Sequence, residues 1–401
     1  MSKQSKVGRN DPCICGAINA RTGKPIKYKH CCLIKPKVQP TFAELAEMKA
    51  KLDSESEARK QILRARGTFI DFPSPTNYQG KSMWALGSRI YYYPRENISF
   101  HEALFFVLSQ ELGKEWIEQQ EALPLASRHF ILKCHNAYVE FRRKNSSPEN
   151  QIGNNWSAVP DGLTKSLLAL VFDVSCIIHV HGHLPEKMIQ RLKLPDSNYQ
   201  GVRYEIAVAA LFARIGCTFE FLDEKLDELQ QIPGHCEFFA TEPETNTTIA
   251  VEAKSKVRKG VLHEPGQSKD FQLWSNVTGP YRNALTQNPE NTPFFVFVDV
   301  NSPPTPGVQA FDKPWANEIL ENRKRTSVNK PGNLDPCTAI IYTNYSYHYQ
   351  SDSEAQANEA IMVLPDFPKH KVPERLFEKL HLAVNHYSYV PNIDYDGSIK
   401  D

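Results

Sequence analysis

The chain has 401 residues, 41% of them apolar, with 47 Lys/Arg against 46 Asp/Glu and a net charge of +1. That length predicts two or three modules with enough apolar side chains for a sizeable core, and the even charge balance excludes a uniformly polybasic or polyacidic chain. The opening Met1-Ser2-Lys3-Gln4-Ser5-Lys6 has no apolar signal region, and no later stretch is expected to reach the eighteen or so apolar residues of a membrane span. A cytoplasmic location follows from these expectations.

The first module is read from cysteine usage. Of nine cysteines, four fall in the first 32 residues, as the close pairs Cys13/Cys15 and Cys31/Cys32. The other five, Cys134, Cys176, Cys217, Cys236 and Cys337, stand singly and read as core. In a reducing compartment close pairs bind metal more often than they form disulfides. Four thiolates make a closed tetrahedral Zn²⁺ site with no position left for water. Forty residues with few large apolar groups need the folding free energy that such an ion supplies. Residues 1–40 carry nine Lys/Arg and one acid, so the basic excess is concentrated there. That charge suits a phosphate backbone, an anionic surface or an acidic protein. The module is assigned to residues 1–38, ending in the linker Lys35-Pro36-Lys37-Val38-Gln39-Pro40.

The run Gly8-Arg9-Asn10-Asp11-Pro12-Cys13-Ile14-Cys15-Gly16, with Lys27-Tyr28-Lys29-His30-Cys31-Cys32, resembles the SEC-C motif. That zinc module is found at the C-terminus of the SecA preprotein translocase ATPase and at the ends of many bacterial proteins. The resemblance covers about residues 7–33, with a connection lengthened within Ala17 to Pro25. It implies that Cys13, Cys15, Cys31 and Cys32 hold zinc, with His30 the less favoured substitute for Cys32. It also implies an adaptor that binds a protein partner.

Residues 39–98 are expected to be a connector, with a helix from Phe42 to Arg66 capped by Thr41 and bearing a thin apolar stripe (Leu45, Met48, Leu52). A turn-rich stretch with Pro73, Pro75, Asn77 and Gly80 follows. Residues 99–195 read as an all-helical domain. Its helices begin at Ser99, about Ser127 and Gly162, and the first carries Leu104, Phe105, Leu108 and Leu112. His179, His181 and His183 alternate, which on a strand suits a metal. The lead-in Ile177-Ile178 and the exit Gly182-His183-Leu184-Pro185 favour a helix end instead.

From residue 196 to 370 the pattern alternates helix and strand and predicts an α/β domain with a mixed sheet. Gln200 to Gly216 reads as a helix that contains Glu205 among Ile206, Ala209, Ala210 and Ala213. Strands are expected at Cys217–Leu222, Cys236–Ala240 and Ile249–Lys254, the last two forming a hairpin. Glu252 and Lys254 then project from one face, and Glu237 reaches it across the hairpin. Two carboxylates converging on one face repel unless a cation lies between them. Mg²⁺ takes one or two carboxylates together with waters and phosphate oxygens, and a neighbouring lysine orients water and balances developing charge. That chemistry is phosphodiester hydrolysis.

Glu205, Glu237 after Pro233, and Glu252-Ala253-Lys254 resemble the PD-(D/E)XK, or restriction-endonuclease-like, nuclease superfamily over about residues 196–300. The resemblance implies Mg²⁺ or Mn²⁺ held by Glu237, Glu252 and the Ala253 carbonyl, with Lys254 acting on water, Glu205 in support and Gln272 as an extra polar group. It departs in having Glu237 where aspartate is usual. Further strands are expected at Phe294–Asp299, Cys337–Tyr345 and Ala360–Leu364, and a helix at Glu374–Tyr387 within a C-terminal segment 371–401. Arg323-Lys324-Arg325, near Lys330, is a basic run that suits a phosphate backbone or a solvated surface.

The expected whole is an α+β multidomain protein: a zinc module, an all-helical middle and a nuclease-like domain acting on DNA or RNA. The competing expectation is a non-catalytic adaptor or nucleic-acid-binding protein on a degenerate nuclease fold, with the zinc module holding a protein partner.

Overall fold

The computed structural model describes residues 8–13, 18–19, 22–30, 42–152, 155–156, 158–194, 197–222, 235–255, 277–302, 305, 307–325, 328–348, 358–395 and 397–399. The chain divides into two units, Met1–Glu55 and Ser56–Asp401. In the first, antiparallel bridges join Pro12 to Lys27 and Ile18 to Pro25. The Cys13 N–H donates to the Ile26 carbonyl at 2.8 Å, and Tyr28–His30 forms a short 3-10 turn. Cys13 is buried; Cys15, Cys31 and Cys32 lie outside the described residues.

Helix α1 spans Phe42–Ala65. Three strands then form a small antiparallel sheet, β1 (Thr76–Tyr78), β2 (Lys81–Leu86) and β3 (Arg89–Tyr93). The Pro-, Asn- and Gly-dense stretch ahead of Lys81 reads only as turn in the sequence. Beyond it β2 alternates, with Ser82, Trp84 and Leu86 turned inward. The tight β2–β3 turn places Gly87 at φ 58°, where a Cβ would meet the His179 carbonyl oxygen at 2.7 Å.

Helices α2 (Phe100–Leu112), α3 (Lys114–Glu121) and α4 (Phe130–Asn145) follow. Ser99 caps α2 in a reciprocal box with Glu102, which satisfies two otherwise orphaned donors. The two-residue strands β4 (Gln151–Ile152) and β5 (Asn155–Trp156) pair within the segment from Lys144 to Trp156, most of which reads in the sequence as a polar loop between helices. Helix α5 (Gly162–His181) is capped by Asp161 and closed by Gly182 in the left-handed region, so two of the three alternating histidines sit in its last turn and His183 just beyond. By length and a mean hydropathy of 1.7, α5 is long and apolar enough to cross a membrane, and 72% of that stretch is buried inside the fold. The expectation that no stretch reaches span length is thus corrected. α5 is apolar nearly all round because helices and strands cover it on most sides.

Helices α6 (Glu186–Lys193) and α7 (Ser197–Arg214) lead into β6 (Thr218–Phe221), β7 (Phe238–Glu242) and β8 (Thr247–Ser255). Then come α8 (Thr278–Leu285), β9 (Phe294–Asp299), α9 (Pro314–Arg325), β10 (Ala339–Asn344), β11 (Glu359–Val363) and α10 (Glu374–Asn385). The six strands make one mixed sheet in the order β11-β10-β9-β8-β7-β6. β6, β7 and β8 form an antiparallel meander, β8, β9 and β10 run parallel, and β11 returns antiparallel. The fold is mixed α/β.

One sheet face packs on α7, where the Phe212 ring meets Phe238, Phe295 and Phe297 at 5.9, 6.2 and 5.8 Å between centroids. That core is continuous with the interior of the helices, from Leu104 and Phe130 through Leu170 to Val251. Residues 99–195 and the sheet therefore share one apolar interior. The other face carries Val296, Val298, Ile340 and Tyr342 against Trp315 and Ile319 of α9. At the centre Asp173 of α5 accepts from Arg203 and Arg214 of α7 at 3.0 Å each, all three side chains fully buried, and from the Tyr387 hydroxyl.

Candidate active site

The β7–β8 hairpin brings the expected acids together. Its register pairs Phe238 with Val251, and the Glu237 N–H donates to the Val251 carbonyl at 3.1 Å, which sets Glu237 opposite Glu252. On its other side Glu252 pairs with Val296 of β9, and Lys254 with Val298. Side chains alternate along a strand, so Glu252 and Lys254 share the face of Val296 and Val298. Ala253 points to the opposite face and joins the core beneath α7.

Glu252 is fully buried, while Lys254 and Glu237 keep 25% and 20% of their side chains exposed. The Lys254 ammonium contacts the Glu252 carboxylate and lies 3.8 Å from Glu237 Oε1. Apart from that ion pair, neither Glu252 oxygen has a well-formed hydrogen bond among the described residues. Burial pushes the Glu252 carboxyl up to about 7, against the opposing pull of Lys254 and with a further push from Glu205. Burial likewise drives Glu237 well above the carboxylate range, reinforced by Glu205 and Glu252. Buried carboxyls in mutual repulsion take up a proton or a cation.

Glu205 sits on α7 with only 8% of its side chain exposed. Its oxygens receive both terminal nitrogens of Arg191 from α6, at 2.5 and 2.7 Å. Nothing in the sequence signals that Arg191, fourteen residues earlier in a separate helix, meets Glu205. A second polar group missed by sequence reasoning is Asp299 at the end of β9. It accepts from the Ser255 hydroxyl at 2.7 Å and the Asn301 N–H at 3.1 Å, while Asn301 donates to Gln200 of α7 at 2.9 Å. Its only sequence signal is an acid closing the apolar run Phe294-Phe295-Val296-Phe297-Val298.

The structure thus brings Glu237, Glu252 and Lys254 into contact distance and places the Arg191–Glu205 pair within electrostatic reach of them. Among the described residues no three His, Cys, Asp or Glu side chains form a ready-made metal site. The donor set still fits a divalent cation: one carboxylate on β8 and one just ahead of β7, the former with its buried oxygens lacking hydrogen bonds beyond the lysine contact. Gln272 lies outside the described residues. Of the basic run, Arg323 is bound to the buried Asp335 at 2.8 Å, and Lys324 forms a surface ion pair with Glu321 at 3.0 Å. No family model, curated protein or solved structure matches the chain.

Proposed function

We propose that this chain hydrolyses phosphodiester bonds in DNA or RNA at Glu237, Glu252 and Lys254, on a PD-(D/E)XK-like core. The observation that carries this is Glu252, a fully buried carboxylate facing a second acid across a hairpin, with Lys254 the base that contacts it among the described residues. Such a group is unfavourable for the fold on its own and is relieved by a cation. The element order supports the same reading. Helix α7, the meander β6-β7-β8, helix α8 and the parallel strand β9 follow the succession that the resemblance implies.

Glu237 and Glu252, with the Ala253 carbonyl, would hold Mg²⁺ or Mn²⁺. Such an ion, when bound, neutralises phosphate charge and makes bound water more acidic. Lys254 stands between the two acids, where its ammonium orients the attacking water and offsets charge developing on the phosphate. The step is a hydrolysis. A bond forms between the water oxygen and phosphorus, the bond to the ester oxygen breaks, and one proton of the water passes to the alcohol released. Cys13, Cys15, Cys31 and Cys32 would hold a structural Zn²⁺ in a basic module that recruits nucleic acid or a protein partner, in a cytoplasmic protein.

A second reading has its own observation. The Lys254 ammonium rests directly on Glu252, so the lysine itself can serve as counter-ion in a scaffold that binds without cleaving. Labelled single- and double-stranded DNA and RNA, incubated with Mg²⁺, Mn²⁺ or EDTA, separate the two. Cleavage that needs the ion and is lost in Glu252→Gln supports hydrolysis. Binding without cleavage under every ion leaves the binding scaffold.

A further inference from the structure

We infer that Arg191 is the phosphate-binding residue of this site and that Glu205 is the positioning residue that holds it there; the inference rests on the hydrolytic reading above. The two partners are unequally placed. Glu205 is sealed at 8% side-chain exposure, whereas Arg191 keeps 33%. The acid is the buried anchor and the guanidinium is the part that a solute reaches.

The attachment is stiff at both ends. α6 is a short helix fixed by Met188, Ile189 and Leu192, all buried, so the backbone under Arg191 is held by packing. The guanidinium spends one donor from each terminal nitrogen on Glu205, a two-point contact that a lysine does not reproduce. One turn before Glu205, Gly201 lies beside the ion pair. A Cβ there would stand 3.5 Å from Arg191 Nη2 and 3.9 Å from Glu205 Oε1. These are ordinary contact distances, so the planar group lies against α7 next to Gly201.

Charge completes the case. Among the described residues the centre gathers three acids, Glu205, Glu237 and Glu252, and two bases, Arg191 and Lys254. Lys254 is engaged with Glu252 and Glu237, so of the two bases Arg191 is the one committed to an acid outside the hairpin. Its charge reaches Glu237, as that of Glu205 does. A phosphodiester brought to the hairpin meets repulsion from the acids and needs a cation at the entrance. A planar guanidinium binds phosphate oxygens in two-point fashion.

The test uses the full chain, a fluorescein-labelled oligonucleotide in EDTA for binding, and the same oligonucleotide with Mg²⁺ for cleavage. Arg191→Gln alone strands a buried acid, so the principal variant is Arg191→Gln with Glu205→Gln, a neutral pair whose melting temperature reports its folding. We expect its Kd and KM to rise about tenfold and the salt dependence of binding to fall by about one ion. Glu205→Gln alone keeps the cation but loosens it, so kcat should drop about tenfold while Kd changes less than twofold. If the double variant binds and cleaves like wild type while Glu252→Gln is inactive, the role of Arg191 is overturned and the hydrolytic reading stands. If wild type binds with Arg191-dependent affinity yet cleaves nothing, hydrolysis is overturned and the phosphate site stands. Wild type that neither binds nor cleaves overturns both.

Discussion

Glu252 makes the metal-free protein sensitive to pH in a direction fixed by its surroundings. Its carboxyl is raised from 4.5 to about 7, chiefly by burial, so the folded chain keeps a proton that the unfolded chain has already released. The stability this gives is fully present below pH ~4.5 and is lost as pH rises to about 7 and beyond. A shift of that size corresponds to roughly 3 kcal/mol, and Glu237 moves the same way. For a unit of this length each kcal/mol moves the melting temperature by ~1.5 °C, so a fall of about 4 °C is expected between pH 5 and 8 in EDTA. Other groups also titrate; buried His101, lowered to about 4, has the opposite slope. The informative quantity is therefore the difference between wild type and Glu252→Gln, measured by calorimetry across that range. Glu252→Gln should lack the fall, and Mg²⁺ should restore the lost stability at pH 8 in wild type alone. Parallel pH profiles for the two proteins would falsify the assignment of Glu252 as a strained, cation-seeking acid.

Lys254→Ala should retain Mg²⁺-dependent stabilisation but lose at least tenfold in kcat, since the lysine acts on water and charge more than on the ion; equal loss of both points to a purely structural lysine. The purified chain should carry about one Zn²⁺, and Cys13→Ser with Cys31→Ser should abolish it, because two thiolates do not close a tetrahedral site; stoichiometric zinc in that variant defeats the cysteine assignment. Deleting residues 1–38 should leave a cooperative melt, since Ser56–Asp401 forms a unit with its own core; a chain without a transition sinks this. Asp173→Asn should cost about 3–5 kcal/mol in urea unfolding, because Arg203 and Arg214 are fully buried and lose their counter-charge; a loss below 1 kcal/mol contradicts it.

What the sequence makes legible follows from the range of the interactions involved. Periodicity and local caps are short-range, so the helix after Ser99, the helix from Gly162 and the strand Phe294–Asp299 are found where the pattern puts them. The hairpin is also local, and a period of two suffices to place Glu252 and Lys254 on one face opposite Glu237. The bounds of β7 shift toward Glu242 because the ladder extends as far as Thr247 pairs with it. Long-range contacts leave no such trace. Arg191 meets Glu205 through the turn between two helices, and Asp173 gathers Arg203, Arg214 and Tyr387 from across the chain. The three-stranded sheet was hidden for another reason. Its strands are short, and much of β1 and β3 is exposed, so alternation hardly rises above the turn residues before it.

The charges at the hairpin bear on which reading is right. Among the described residues, with Glu205 matched by Arg191, Lys254 is the base in ion-pair contact with the remaining acids Glu237 and Glu252. If the site were only a scaffold, its lowest-energy state near neutral pH is one acid ionised against Lys254 and the other protonated, and this needs no ion. If the site is hydrolytic, a divalent cation displaces that proton, and the excess positive charge then attracts a phosphodiester, whose single negative charge it balances. The two cases differ in proton release. Adding Mg²⁺ at pH 7 should expel a proton from a hydrolytic site, detectable as a buffer-dependent heat in titration calorimetry, and Glu252→Gln should abolish it. A wild-type titration with no buffer dependence leaves Lys254 as the standing counter-ion and favours the scaffold.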